Sequence, residues 1–92
     1  MRKTYQALLK AYLFKKIRKI RKQIGMTQFE VSEILEMDLR SYSYIETGVH
    51  SCGTLSFILF LLYVSPNPLE VLEEIRKLFD EAKENENFTD AM

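Results

Sequence analysis

Gly25-Met26-Thr27-Gln28-Phe29-Glu30-Val31-Ser32-Glu33-Ile34-Leu35-Glu36-Met37-Asp38-Leu39-Arg40-Ser41-Tyr42-Ser43-Tyr44-Ile45-Glu46-Thr47-Gly48 is the stretch on which the reading of this chain turns. Thr27 to Glu30 is a capping box: a hydroxyl for the first free amide groups of a helix, and a carboxylate three residues on to reciprocate. A short helix to about Leu35 follows, with Phe29 or Val31, and Ile34 and Leu35, turned inward. Glu36 and Met37 make a tight turn. Asp38 is placed to cap a second short helix, Leu39 to Glu46 or Thr47, which Gly48 stops. Two short helices joined by a tight turn describe a helix-turn-helix.

Working outward, Leu9, Leu13, Ile17, Ile20 and Ile24 recur at three and four. They predict a helix from about Tyr5 to Gln23, ended at Gly25, with lysines and arginines on its other flank. Downstream, Thr54–Val64 predicts a fourth helix and Ser65-Pro66 a break. Asn67-Pro68-Leu69-Glu70 restarts the chain with a cap, a first-turn proline and an acid, giving a fifth helix to about Glu84. Residues 85–92 read as a flexible acidic tail. No alternating run reads as strand. The expectation is all-α: five helices in one domain, residues 1–84, with the motif at about 27–48.

Composition narrows the function. The chain has 92 residues, 47% of them apolar and 28% charged, which describes one small globular domain with a single core. One cysteine excludes an internal disulfide framework, and one histidine leaves little for catalysis or metal binding. No nucleophile–base pair, phosphate loop or ligand cluster is legible, so an enzyme is not expected, and neither a metal nor a cofactor. The longest apolar run, Phe57–Val64, is eight residues, against roughly 20 for a membrane span. The expected location is the cytoplasm.

The net charge of zero hides an asymmetry. Residues 1–25 carry nine Lys or Arg and no acid, residues 26–50 carry Arg40 against five acids, and residues 51–92 carry three bases against eight. A basic first helix in front of a helix-turn-helix points to an anionic partner.

Arg21, Gly25-Met26-Thr27-Gln28, Val31-Ser32, Ile34-Leu35, Ile45-Glu46 and Gly48 together resemble the Xre-type, lambda-repressor-like helix-turn-helix family, over roughly Leu13 to Val64. The resemblance implies a sequence-specific DNA-binding regulator, a repressor or an antitoxin-like autorepressor. Its partners would be double-stranded DNA, a second copy of itself and, in the antitoxin case, a toxin protein. By the resemblance Leu39, Arg40, Ser43 and Tyr44 face the bases in the major groove, while Tyr42 and Ile45 face inward. Arg40, whose fork matches guanine O6 and N7, is the specific reader. Gln28 would clamp the DNA backbone, Lys15, Lys19 and Lys22 would meet phosphates, and Arg21 with Glu46 would form a structural ion pair. Two departures stand out: Glu36 occupies a turn position where the family usually has Gly, and Cys52 stands near where many relatives have Pro.

The fourth helix is apolar all round. Leu55, Ile58, Leu59 and Leu62 share one face, and Phe57, Phe60, Leu61 and Val64 share the other. Both sides then need cover. The second face is expected to be a dimer interface, against internal cover from Leu69, Leu72, Ile75 and Phe79 with Leu8 and Tyr12. Another class of function competes with the first: a protein-interaction module on the same scaffold without DNA binding, supported by Glu36, Asp38 and the acidic C-terminal half. A membrane-surface role for the basic helix ranks below both.

Overall fold

The computed structural model describes the backbone of residues 1–91 and the side chains of residues 1–85. Five helices follow one another: α1 (Arg2–Gln23), α2 (Gln28–Ile34), α3 (Leu39–Glu46), α4 (Thr54–Tyr63) and α5 (Pro68–Ala91), with no strand among the described residues. The first helix starts earlier than its apolar stripe suggests. The fifth passes Glu84, and the side chains of residues 86–92, where most of the expected tail falls, lie outside those described.

The three N-terminal helices end in the same way. In each, the amide two residues past the C-cap donates back to a carbonyl five residues earlier, and the amide before it donates three residues back. These bonds are Met26 to Arg21 and Gly25 to Lys22, Met37 to Ser32 and Glu36 to Glu33, Val49 to Tyr44 and Gly48 to Ile45. The closure requires a left-handed residue, and Gly25 (φ 76°) and Gly48 (φ 77°) supply it freely. Gly48 is also bound by packing, since a Cβ there would lie 3.2 Å from Phe14. At the end of α2 the position falls to Glu36, which adopts φ 56° without glycine's freedom, at a cost of about 1 kcal/mol. The α2 terminator thus closes with the same hydrogen bonds as the two glycine terminators, with strain at Glu36.

The helix starts match their sequence signals. Thr27 accepts from the Glu30 amide at 3.1 Å while Glu30 accepts from the Thr27 amide at 2.9 Å. Asp38 accepts from the Ser41 amide at 2.7 Å, and Asn67 from the Glu70 amide at 3.2 Å.

The core gathers Leu13, Ile17 and Ile20 of α1, Val31 of α2, Leu35 after it, Tyr42 and Ile45 of α3, Phe60 of α4, Val64 after it, and Val71 and Ile75 of α5. Ser32 is buried with them, and its hydroxyl donates to the Phe29 carbonyl at 2.7 Å. Of the alternatives on α2, Val31 is the inward residue and Phe29 is exposed. Helix α5 runs antiparallel to α1: Tyr5 meets Phe79, Tyr12 meets Glu74, and Lys16 meets Glu70.

The α4 faces differ from those expected, and of the first face only Leu59 packs half-buried against the core. Phe60 is 1% exposed and Val64 6%, while Phe57 and Leu61 pack against the core half-buried, so these four residues are interior. Leu55 and Leu62, 65% and 64% exposed, lie on the outward side with Ile58. The core beneath α4 takes the larger aromatic face, so a dimer interface made of Phe57, Phe60, Leu61 and Val64 is corrected.

Candidate nucleic-acid interface

Glu46, 2% exposed at the end of α3, organises the centre of the helix-turn-helix. A buried carboxylate is costly unless donors surround it, and here four bonds do so from three helices. Arg21 of α1 donates through Nε to Oε2 at 2.6 Å and through Nη2 to Oε1 at 3.0 Å, a bidentate fork. Gln28 of α2 donates through Nε2 to Oε1 at 3.1 Å, and the Tyr42 hydroxyl, one turn back on α3, donates a short bond to Oε2. The remaining Arg21 Nη1 donates to the Met26 carbonyl at 3.0 Å, which ties in the α1–α2 link.

The ionisation of the cluster follows from this geometry. Burial pushes the Glu46 carboxyl up, but hydrogen bonds from Arg21, Tyr42 and Gln28 outweigh it and hold the group below the usual glutamate range. Burial, then the bond to Glu46, pushes the Tyr42 hydroxyl well above its ordinary value. The Glu46 bond raises the Arg21 guanidinium in turn. The cluster is therefore carboxylate, guanidinium and neutral phenol across the physiological range.

With Tyr42, Ile45 and Glu46 turned inward, the opposite side of α3 is fixed in orientation. It carries Arg40, exposed, and Tyr44, half-buried, with half-buried Ser43 at its edge; Leu39, exposed in the first turn, lies one heptad before Glu46 on the same flank. Arg40 is not loose: its Nε donates to the Tyr44 hydroxyl at 2.9 Å, and its guanidinium lies 5.8 Å from the centre of that ring. The Tyr44 ring in turn stacks on His50 with centroids 5.1 Å apart and planes at 21°. Arg40 as a whole is exposed, and this bond uses its Nε alone. The two terminal nitrogens of an arginine match the two acceptors of a guanine. No sequence pattern pointed to the part played by His50, because the loop that brings it over Tyr44 is set by the α3 terminator.

The expected phosphate contacts separate. The amide of Gln28, expected to grip a DNA backbone, is turned inward to Glu46, since the buried carboxylate needs the donor. Lys15, Lys19 and Lys22 are all exposed on α1, within one arc of about 60° of the helix surface. Arg21 and Phe14 mark the flank of α1 that meets α3 and its terminator, and Tyr12 and Lys16 mark the flank that meets α5. At about 100° per residue, Lys22 and Lys15 lie about 20° apart and both point away from α3 and α5, Lys22 slightly nearer the α3 flank, while Lys19 lies towards the α5 side. Arg18, exposed and absent from the expected set, is nearer Arg21 than any of them. Sequence reading could have found it by taking Arg21 as the zero of the helical wheel.

Acids lie close to this surface too. Glu36 and Asp38 are exposed in the α2–α3 turn, and Asp38 is held ionised, below the usual aspartate range, by the amide and hydroxyl of Ser41. Cys52 lies half-buried beyond His50, and burial pushes its thiol up to about 11, which leaves it an unreactive apolar filler. Among the described residues no helix is long and apolar enough to cross a membrane. No protein-family model matches the chain, and no curated protein or solved structure matches it either.

Proposed function

We propose that this chain is a sequence-specific DNA-binding regulator of transcription, cytoplasmic, with α2 and α3 as a helix-turn-helix of the lambda-repressor type. One observation carries the reading. Helix α3 is locked by its buried side, through Glu46, Tyr42 and Ile45, while Leu39 and Arg40 are exposed in its first turn and Ser43 and Tyr44 are half-buried. A short helix held that firmly, with an arginine in its exposed first turn, is suited to entering a major groove. Arg40 reads a guanine, Leu39 meets a thymine methyl, and Lys22 and Arg18 of α1 supply phosphate contacts without sequence information. Repression, in the manner of an autorepressor or antitoxin, is the form of regulation that follows from occupying a DNA site.

The inward turn of Gln28 and the exposed acids Glu36 and Asp38 favour the second reading, a protein-interaction module on the same scaffold. Selection of bound duplexes from a random pool, followed by fluorescence anisotropy, separates the two. Wild type should enrich a guanine-containing site. Arg40→Ala should lose about 1–3 kcal/mol on that site and much less on random duplex. Equal loss on both makes Arg40 a phosphate contact and passes the reading role to Leu39, Ser43 or Tyr44. Absence of duplex binding by wild type, even at low salt, replaces the regulator with the interaction module.

A further inference from the structure

Tyr44 follows Arg40 by four residues on α3, the spacing that makes two side chains neighbours on one helix face. Its hydroxyl accepts from Arg40 Nε at 2.9 Å, and the guanidinium lies 5.8 Å from the centre of its ring. Asp38, the acid two residues before Arg40, is engaged elsewhere: its carboxylate accepts from the Ser41 amide at 2.7 Å and from the Ser41 hydroxyl at 3.1 Å. We propose that Tyr44 is a positioning residue for Arg40 rather than a reader of bases, and that His50 in turn steadies Tyr44. The inference rests on the reading of α3 as the helix that meets DNA.

The support for Tyr44 is built by the terminator of α3. Gly48 takes φ 77° against Phe14 of α1. The chain then turns back, so that the amides of Val49 and His50 both donate to the Tyr44 carbonyl, at 2.9 and 3.1 Å. The backbone of His50 is thus tied to the same residue on which its ring stacks, with centroids 5.1 Å apart and planes at 21°. Stacked planar rings at this separation favour one orientation of the phenol. Its hydroxyl then has a fixed place from which to accept.

The consequence lies in when Arg40 is ordered. A free arginine has many rotamers, and these must be given up when it meets a base. A single exposed hydrogen bond competes with water, but here the bond and the ring contact act on the same guanidinium. The bond engages Nε and not the two terminal nitrogens, the pair that matches guanine O6 and N7. Lysine would have one nitrogen for both tasks, so the arrangement is suited to arginine. Ordering that takes place on folding favours the site where Arg40 meets a guanine, and gives nothing to a duplex held by its phosphates alone.

Tyr44→Phe keeps the ring and its stack and removes only the acceptor, so the urea midpoint should hardly move. On the selected guanine-containing duplex, anisotropy should show binding weakened about threefold to tenfold, the effect of one side chain left to be ordered on binding. Random duplex should be bound as by wild type. In an Arg40→Ala background the same substitution should change nothing. A loss that persists there means that Tyr44 touches the DNA itself, and overturns the proposal. His50→Ala should give part of the same loss, and His50→Phe, which restores a flat ring, should recover it. A silent His50→Ala, or a His50→Phe that loses equally on both duplexes, overturns the role of His50. Nitrogen-15 relaxation of the Arg40 Nε–Hε group in the free chain needs no DNA. It should report a side chain more ordered than the exposed Arg18, and Tyr44→Phe should bring it to the Arg18 level. An Arg40 as mobile as Arg18 in wild type overturns the proposal whatever the DNA results. An ordered Arg40 in a wild type that binds no duplex instead overturns the reading of α3, and the recognition role of Tyr44 with it.

Discussion

Two seams tie α1 to the rest of the molecule, and they are made of the same kinds of group. In one, Glu46 of α3 accepts from a tyrosine hydroxyl and from Arg21 of α1. In the other, Glu74 of α5 accepts from the Tyr12 hydroxyl at 2.7 Å and from Lys16 at 3.0 Å, both on α1, while Lys16 also reaches Glu70 at 3.3 Å. They differ in burial and in the cation. The Glu46 side chain is 1% exposed and the Glu74 side chain 39%. Arginine offers a planar fork that fills both carboxylate oxygens, whereas lysine is a point charge that divides itself between two acids. The first seam fixes an angle, because a buried fork tolerates one geometry. The second lets α5 lie along α1 while water serves either partner. That division suits the proposed function, in which α3 has to be held in one orientation and α5 only has to cover the core.

The comparison is broken most directly by removing each acid in turn, and the largest effect belongs to Glu46. Glu46→Ala leaves the Arg21 fork, the Tyr42 hydroxyl and the Gln28 amide facing an apolar void, and should cost about 3 kcal/mol in urea unfolding. The loss comes chiefly from groups stranded without partners. Replacing the pair together, Arg21→Met with Glu46→Leu, should therefore recover the part owed to the stranded guanidinium. Equal instability of the single and double variants would show that the seam stabilises by attraction rather than by satisfying buried groups.

Acid should sharpen the same contrast by a smaller amount. The Glu46 carboxyl is held below the usual glutamate range in the folded chain, so the unfolded chain binds the proton more readily. Its contribution is complete above the ordinary glutamate value. It is lost as pH falls through that value towards the depressed one. Glu74 is also lowered, by its bonds from Tyr12 and Lys16, and has the same sign. Urea midpoints taken from neutral pH down through the glutamate range should fall for wild type. The fall should be shallower for Glu46→Gln, which no longer titrates there. Parallel slopes would mean that the acid sensitivity arises elsewhere.

Much of this frame was legible because it depends on local chemistry. Capping residues, glycines at terminators and an apolar stripe each act within one turn of helix, and Thr27, Asp38, Gly25, Gly48 and the Leu13–Ile20 stripe are all found where their neighbours require them. What was not legible depends on phase or on distant partners. An amphipathic helix declares its inner face by contrast. Helix α4 offers none, so its pattern does not tell its two apolar faces apart, and only the burial of Phe60 and Val64 does. Gln28 has a plausible external role until the need of a buried carboxylate eighteen residues away is known. Lys16 is one of nine bases in a row of similar residues, and only the antiparallel approach of α5 separates it from Lys15 and Lys19.

The smallest effect is expected where the second seam is cut. Glu74→Ala removes one acceptor from Tyr12 and one from Lys16, yet neither is stranded. Lys16 keeps Glu70, and the Tyr12 hydroxyl lies in a part-buried contact that water can reach. Burial, followed by the bond to Glu74, raises the Tyr12 hydroxyl above its ordinary range, so it stays a donor to whatever replaces that bond at neutral pH. The cost should be below about 1 kcal/mol and should shrink further as salt screens the remaining pair. The variant is best followed by urea unfolding at low and at high ionic strength, with Glu46→Ala alongside. The cost of Glu46→Ala should hardly change with salt, because stranded buried donors are not screened. If the two costs prove equal, or respond alike to salt, burial does not divide the seams, and the orientation of α3 is no more firmly held than that of α5.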